Sequence, residues 1–135
     1  MTETIRALLD RASESRAEGL PGDARNAYAQ AAALSREAGA PLLRAEALRH
    51  LSDLDRDARR PVEALAHADQ AVALYRRHAA LDNPDLTSAL RLMALALDDL
   101  GRGQGATALW TEARDRYAAA GASAGVAECE ARLAG

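Results

Sequence analysis

Residues 84–113, PDLTSALRLMALALDDLGRGQGATALWTEA, decide the fold. Their apolar residues recur at helical spacing in two runs. The runs are Leu90, Met93, Ala94 and Leu97, and then Ala106, Trp110 and Ala113. Gly101 lies between them, where a helix C-terminus favours φ > 0. Asn83, Pro84 and Asp85 supply an N-cap side chain, a preset φ and an anion at a helix start. The stretch therefore predicts a helical hairpin.

The same pattern occurs twice upstream. A small–x3–bulky–x2–small motif starts at Ala24, Ala64 and Ala106, with offsets of 40 and 42 residues. Its members are Ala24, Tyr28 and Ala31, then Ala64, Ala68 and Ala71, then Ala106, Trp110 and Ala113. Turns around Gly19, Pro61 and Gly101 precede the three motifs. We predict helices near 3–18, 23–38, 42–57, 62–79, 85–100, 104–120 and 124–133, in hairpins that stack through alanine crossings.

Composition independently favours an all-α fold. The chain of 135 residues has 35 Ala and 20 Leu against one Ile, three Val and no Phe. Alanine and leucine favour helices, whereas strands need β-branched and aromatic residues. Cys129 is the only cysteine, so neither a disulfide nor a zinc-type cysteine spacing is present.

These motifs resemble the tetratricopeptide repeat (TPR) family, in its longer variant of about 42 residues, like that of kinesin light chains. Residues 90–113 match its pattern best. Arg11 and Ser15 in the first repeat, and Asp55 and Ala68 in the second, replace the large apolar or aromatic residues of the pattern. The resemblance implies an all-α solenoid of three hairpins plus a C-terminal capping helix, wound as a right-handed superhelix. It implies one domain over 1–135, with repeats at about 3–40, 41–82 and 83–121 and the cap at 122–135.

The resemblance also implies a concave groove lined by the first helix of each hairpin. Its expected residues are Arg6, Leu9, Ser13, Arg16, Glu46, Arg49, His50, Asp53, Ser88, Arg91, Leu92 and Leu95. The family's clamp for a peptide C-terminus needs Lys and Asn residues, and Leu9, Ser13, His50, Ser88 and Leu92 occupy those positions. Capture of chaperone tails is therefore not expected. Arg49 and Arg91 either bind a ligand carboxylate or pair with acids of the groove itself.

Other kinds of site find little support. The net charge is -3 and no basic stripe occurs, which disfavours nucleic-acid binding. No signal peptide or membrane span is evident, so we expect a soluble cytoplasmic chain. His50, His67 and His78 lack the spacing of a metal site, and Cys129 has no neighbouring base. We expect no cofactor and no metal.

Two side-chain sets have structural interpretations instead. Gly101, Gly103 and Gly105 resemble a phosphate loop only in spacing, because no strand precedes them, and they are interpreted as a repeat turn. Tyr75, Trp110 and Cys129 are expected in the core.

The sequence thus predicts a non-catalytic module that binds a peptide or helix of a partner protein in the groove. The alternative is a structural unit that forms a homodimer through its terminal or capping helices. An enzyme is the remote alternative.

Overall fold

The computed structural model describes residues 1–135 and contains seven helices and no strand. They are α1 (Thr2–Ala17), α2 (Pro21–Glu37), α3 (Pro41–Asp57), α4 (Pro61–His78), α5 (Pro84–Asp99), α6 (Gly103–Ala119) and α7 (Ser123–Ala134). Each boundary lies within two residues of its predicted position. None of the seven combines the length and hydrophobicity that a membrane span requires.

Glycine and proline set these boundaries. Prolines occupy the first position of α2, α3, α4 and α5, where the missing N–H has no helical acceptor. Glycines with φ between 64° and 77° end α1, α2, α5 and α6, as predicted. They are Gly19, Gly39, Gly101 and Gly121. In the turn between α3 and α4 the same conformation is adopted by Arg59, with φ 59°.

The helices stack in chain order. Each helix contacts the next one along the chain, α1 also contacts α3, and α3 also contacts α5. The backbones of the second helices, α2, α4 and α6, do not approach one another in this way, although Arg76 of α4 donates to both carboxylate oxygens of Glu112 on α6 at 3.0 and 2.7 Å. The first helices therefore lie on the inside of the curve and form the concave face. This is the expected all-α solenoid of stacked hairpins.

The core lies between the two layers and confirms the predicted register. All nine residues of the small–bulky–small motifs are buried. They are Ala24, Tyr28, Ala31, Ala64, Ala68, Ala71, Ala106, Trp110 and Ala113. Alanine at a crossing lets helix axes approach closely, and the larger residue fills the space between hairpins.

The last helix, α7, packs on α6, and two features of this contact are a close approach at Gly125 and the buried side chain of Cys129. A Cβ atom at Gly125 would lie 2.4 Å from Cγ of Tyr117, so only glycine allows the ring to rest on the α7 backbone. Cys129 is fully buried, as predicted, and burial raises the pKa of its thiol.

Candidate functional site

The concave face is formed by the first helices and α7, and it is the candidate site. Nine of the twelve residues expected there keep at least partly exposed side chains. They are Arg6, Ser13, Arg16, Glu46, Arg49, His50, Asp53, Ser88 and Arg91.

The prediction was wrong for the three leucines. Leu9, Leu92 and Leu95 are only 3%, 6% and 1% exposed and belong to the core between hairpins. Burying apolar carbon is worth about 25 cal/mol per Å², so a leucine at the edge of the groove turns inward. They help to position the concave face but offer almost no area to a ligand.

Arginine–carboxylate pairs cross the concave face from each first helix to the next. We call this set the ion-pair ladder, and between α1 and α3 it has two parts. Arg6 Nη1 and Nη2 donate to the two carboxylate oxygens of Glu46 at 2.9 and 3.1 Å. Arg16 lies 2.9 Å from Asp53 and 3.0 Å from Asp57. In both parts the arginine belongs to the earlier helix.

The ladder continues with the same polarity between α3 and α5 and, at Arg91, between α5 and α7. Between α3 and α5, Arg56 Nε donates to Asp99 at 2.8 Å, and Arg49 lies 3.7 Å from Asp85. Between α5 and α7, the Arg91 Nε and Nη2 atoms donate to both oxygens of Glu128 at 2.5 and 2.9 Å. This pairing raises the pKa of Arg91 and lowers that of Glu128. The sequence left open whether Arg91 binds a ligand carboxylate or pairs with an acid of the groove itself. In the structure it pairs with Glu128.

His50 occupies the centre of the face between α1 and α3. Its ring stacks on Tyr28, with centroids 4.8 Å apart and planes 9° from parallel. Burial, with Arg49 and Arg16 nearby, lowers the pKa of His50, so the neutral imidazole is favoured. Asp53, one turn further along α3, pairs with Arg16 and not with His50.

Each second helix sends one tyrosine towards this face. Tyr28 comes from α2, Tyr75 from α4 and Tyr117 from α6. Arg49 Nε donates to the Tyr75 hydroxyl at 3.3 Å, and burial raises the pKa of all three phenols. Tyr75 is in the core, as predicted, but its hydroxyl reaches the groove.

A buried carboxylate on the side of α3 that faces the second helices was not predicted from the sequence. Asp55, fully buried on α3, bonds to Arg25 of α2 and lies 2.6 Å from Nδ1 of His67 on α4. A carboxylate only accepts, so Nδ1 of His67 carries the proton. Asp55 occupies a position where the TPR pattern has an aromatic residue. An acid within an otherwise apolar helix face was the one feature of the sequence that could have indicated this contact. Three helices thus meet at one polar contact.

A polar contact similar to that of Asp55 links the helices at the C-terminal end of the stack. Trp110 is buried, as predicted, and its Nε1 donates to Asp98 at 2.9 Å. Arg132 of α7 lies 5.6 Å above the indole ring and 3.5 Å from Asp98. This cluster ties α5, α6 and α7 together. Gly101 lies in the turn between α5 and α6, and α6 begins at Gly103, as the repeat-turn interpretation predicted.

A cleft that includes Ser88 of the expected groove lies around the loop between α4 and α5. It has a volume of about 1010 Å³ and is bounded by Leu81, Pro84, Glu112, Arg116 and Tyr117 among others. Arg116 Nη1 donates to the Leu81 carbonyl at 2.6 Å and fixes one wall. The structure brings no three His, Cys, Asp or Glu residues together as metal ligands.

Comparison with known proteins identifies the fold. No protein-family model matches the chain, and no curated protein matches its sequence. A crystal structure of a TPR-like protein from Chlorobium tepidum superposes with a TM-score of 0.81. The match covers 98% of this chain and 94% of that one, at 22% sequence identity. The chain therefore has a TPR-like fold.

Proposed function

We propose that the chain is a non-catalytic interaction module that binds a peptide or helix of a partner protein on its concave face. The observation that carries this proposal is the composition of that face. It presents guanidinium, carboxylate, hydroxyl and imidazole groups held by packed helices, and a rigid display of this kind suits recognition of a chain segment.

The ion-pair ladder favours a weak to moderate complex with a selective partner. Most groove arginines already have an internal acid, so a ligand must offer hydrogen bonds as good as those it replaces. Exposed pairs are each worth about 0–1 kcal/mol, and a partner with matched charges can exchange them at little cost.

Photo-crosslinking tests the location of binding. A photoreactive residue is placed at Ser13 or Ser88 on the concave face, and at exposed Ala33 or Ala73 on the second helices as controls. The purified variants are exposed to extract of the source cells and crosslinked. We expect the same partner band from both concave positions and none from the controls. Equal capture at Ala33 and Ala73 would place binding on the outer face and contradict the proposal.

A second candidate, self-association through α7, is favoured by one exposed stripe. Its members are Ala124, Ala127, Ala131 and Ala134, all exposed and on one side of the helix. Such small residues permit close helix pairing. Light scattering over a concentration series tests it, since a monomer at tens of micromolar would eliminate a homodimer as the functional form.

A further inference from the structure

The groove arginines differ in how fully their donors are used. Arg6 and Arg91 each bind both oxygens of one carboxylate, and Arg16 contacts two acids. Arg49 forms one hydrogen bond, from Nε to the Tyr75 hydroxyl at 3.3 Å. Its nearest acid, Asp85, is 3.7 Å away, beyond hydrogen-bonding distance.

Arg49 is also held in place. Its side chain is 19% exposed, and the Tyr75 hydroxyl fixes the guanidinium from below. Because a guanidinium has five N–H donors, the Nη groups keep unused capacity at the centre of the groove. A side chain that is already ordered loses little rotamer entropy when it binds.

We propose that Arg49 is the anchor of the concave face for a single carboxylate of the bound segment, whereas Arg91 is a structural residue of the α5–α7 contact. The inference rests on the proposed groove function for its biological meaning. Its source is that Arg49 donates to no carboxylate, whereas every other arginine of the ladder donates to at least one.

The surroundings of Arg49 select the charge of the ligand. Asp85 and Glu46 lie close enough to act on the guanidinium electrostatically. They would repel a doubly charged phosphate more strongly than a singly charged carboxylate. The planar carboxylate also matches the fork of the guanidinium. Either an acidic side chain or a free C-terminus of the bound segment can supply this carboxylate.

The test follows the arginine Nε–Hε signals of the wild-type chain by NMR. The protein is titrated with three short alanine peptides at constant ionic strength. One carries an internal glutamate and blocked termini, one a free C-terminus and no side-chain acid, and one a glutamine and blocked termini. We expect the Arg49 signal to shift saturably with one or both acidic peptides, which identifies the source of the carboxylate. The glutamine peptide should leave it unchanged.

Arg6 and Arg91 serve as internal controls. Shifts of their signals as large as that of Arg49, or no saturable shift at Arg49 with either acidic peptide, would overturn the assignment. This experiment needs no natural partner, so its failure is distinct from a failure of the crosslinking experiment.

A matched pair of variants adds a second measurement. Asp85→Asn removes the loose competitor of Arg49 and should tighten binding of the acidic peptide about two- to fivefold. Glu128→Gln frees Arg91 instead and should leave the titration of Arg49 unchanged. Weaker binding in Asp85→Asn, or tighter binding in Glu128→Gln alone, would contradict the proposal.

Discussion

At the scale of single residues, alanine decides how closely the hairpins approach. Ala64 and Ala106 begin the second and third motifs, and both are buried at helix crossings. A larger side chain there must push two helices apart, whereas the same side chain on an exposed face meets solvent.

The pair Ala106→Leu and Ala108→Leu tests this role within one helix. Ala106 is buried and Ala108 is exposed. We expect Ala106→Leu to lower the free energy of unfolding by about 1–3 kcal/mol. Ala108→Leu should change it by less than about 0.5 kcal/mol. Urea denaturation measures both, and an unchanged midpoint for Ala106→Leu would show that the register is wrong.

Asp55 shows a second residue-scale effect, the cost of a buried carboxylate. Asp55→Ala leaves Arg25 and His67 without their acceptor, although both reach solvent in part. We expect a loss of about 1–3 kcal/mol of unfolding free energy. The control Asp57→Ala removes an exposed partner of Arg16 and should cost about 0–1 kcal/mol. Equal losses from the two substitutions would refute a structural role for the buried contact.

Sequence reasoning found the alanines but not this acid, for a physical reason. Burial of small and apolar residues follows helical periodicity, which is local. The partners of Asp55 come from two other helices, and their side chains meet only after the hairpins stack. The buried Leu9, Leu92 and Leu95 were misplaced because a family position specifies a helix face and not the final direction of its side chain.

At the scale of helices, boundaries were predictable because the chain marks them with proline and glycine. The turn between α3 and α4 is the exception, since Arg59 adopts the glycine conformation at φ 59°. Its hydrogen bonds match those of the Gly101 turn. Arg60 N donates to Asp55 O at 2.8 Å, as Arg102 N does to Leu97 O at 2.8 Å.

This equivalence predicts opposite effects of two substitutions. Arg59→Gly relieves the left-handed strain and should stabilise the chain by about 0.5–1 kcal/mol. Gly101→Ala imposes the same strain on the matching turn and should destabilise it by about 1 kcal/mol. Thermal unfolding measures both. A lower Tm for Arg59→Gly would mean that the arginine side chain contributes more than its backbone strain costs.

The attachment of α7 depends on a contact that can be removed selectively. Glu128→Gln breaks the bidentate pair with Arg91, while Glu130 on the same helix is exposed and serves as the control. We expect amide hydrogen exchange in α7 to speed up about two- to fivefold in Glu128→Gln and to stay unchanged in Glu130→Gln.

The same pair gives α7 a pH dependence of known sign. The pKa of Glu128 is lowered in the folded state, so the unfolded chain takes up its proton first as the pH falls. The contribution of the pair is complete above the ordinary glutamate pKa of about 4.3 and disappears as the pH drops through the lower folded value. The difference in exchange between wild type and Glu128→Gln should therefore vanish in acid. A difference in exchange that persists in acid would show that the packing of Glu128, and not its charge, holds α7 in place.

At the scale of the whole molecule, the defining property is an open stack and not a closed bundle. Two core clusters reflect it, one around Ile5 and Tyr28 and one around Trp110 and Cys129, and Met93 and Leu109 pack against both. The family's repeat pattern predicted this arrangement, because one hairpin cannot bury its apolar face alone. The polarity of the ion-pair ladder could not be predicted, since it depends on which side chains face each other across hairpins.

The most direct test of the open stack uses the chain's only isoleucine and only tryptophan as NMR reporters. In the stack, Ile5 lies in the first core cluster and Trp110 in the second. We predict nuclear Overhauser contacts from the Ile5 methyl groups to α2 and α3, and between the rings of Tyr28 and His50. We predict none from Ile5 to Trp110 or α7. Contacts between the Ile5 methyl groups and Trp110 or α7 would show a closed bundle, in which no concave face exists.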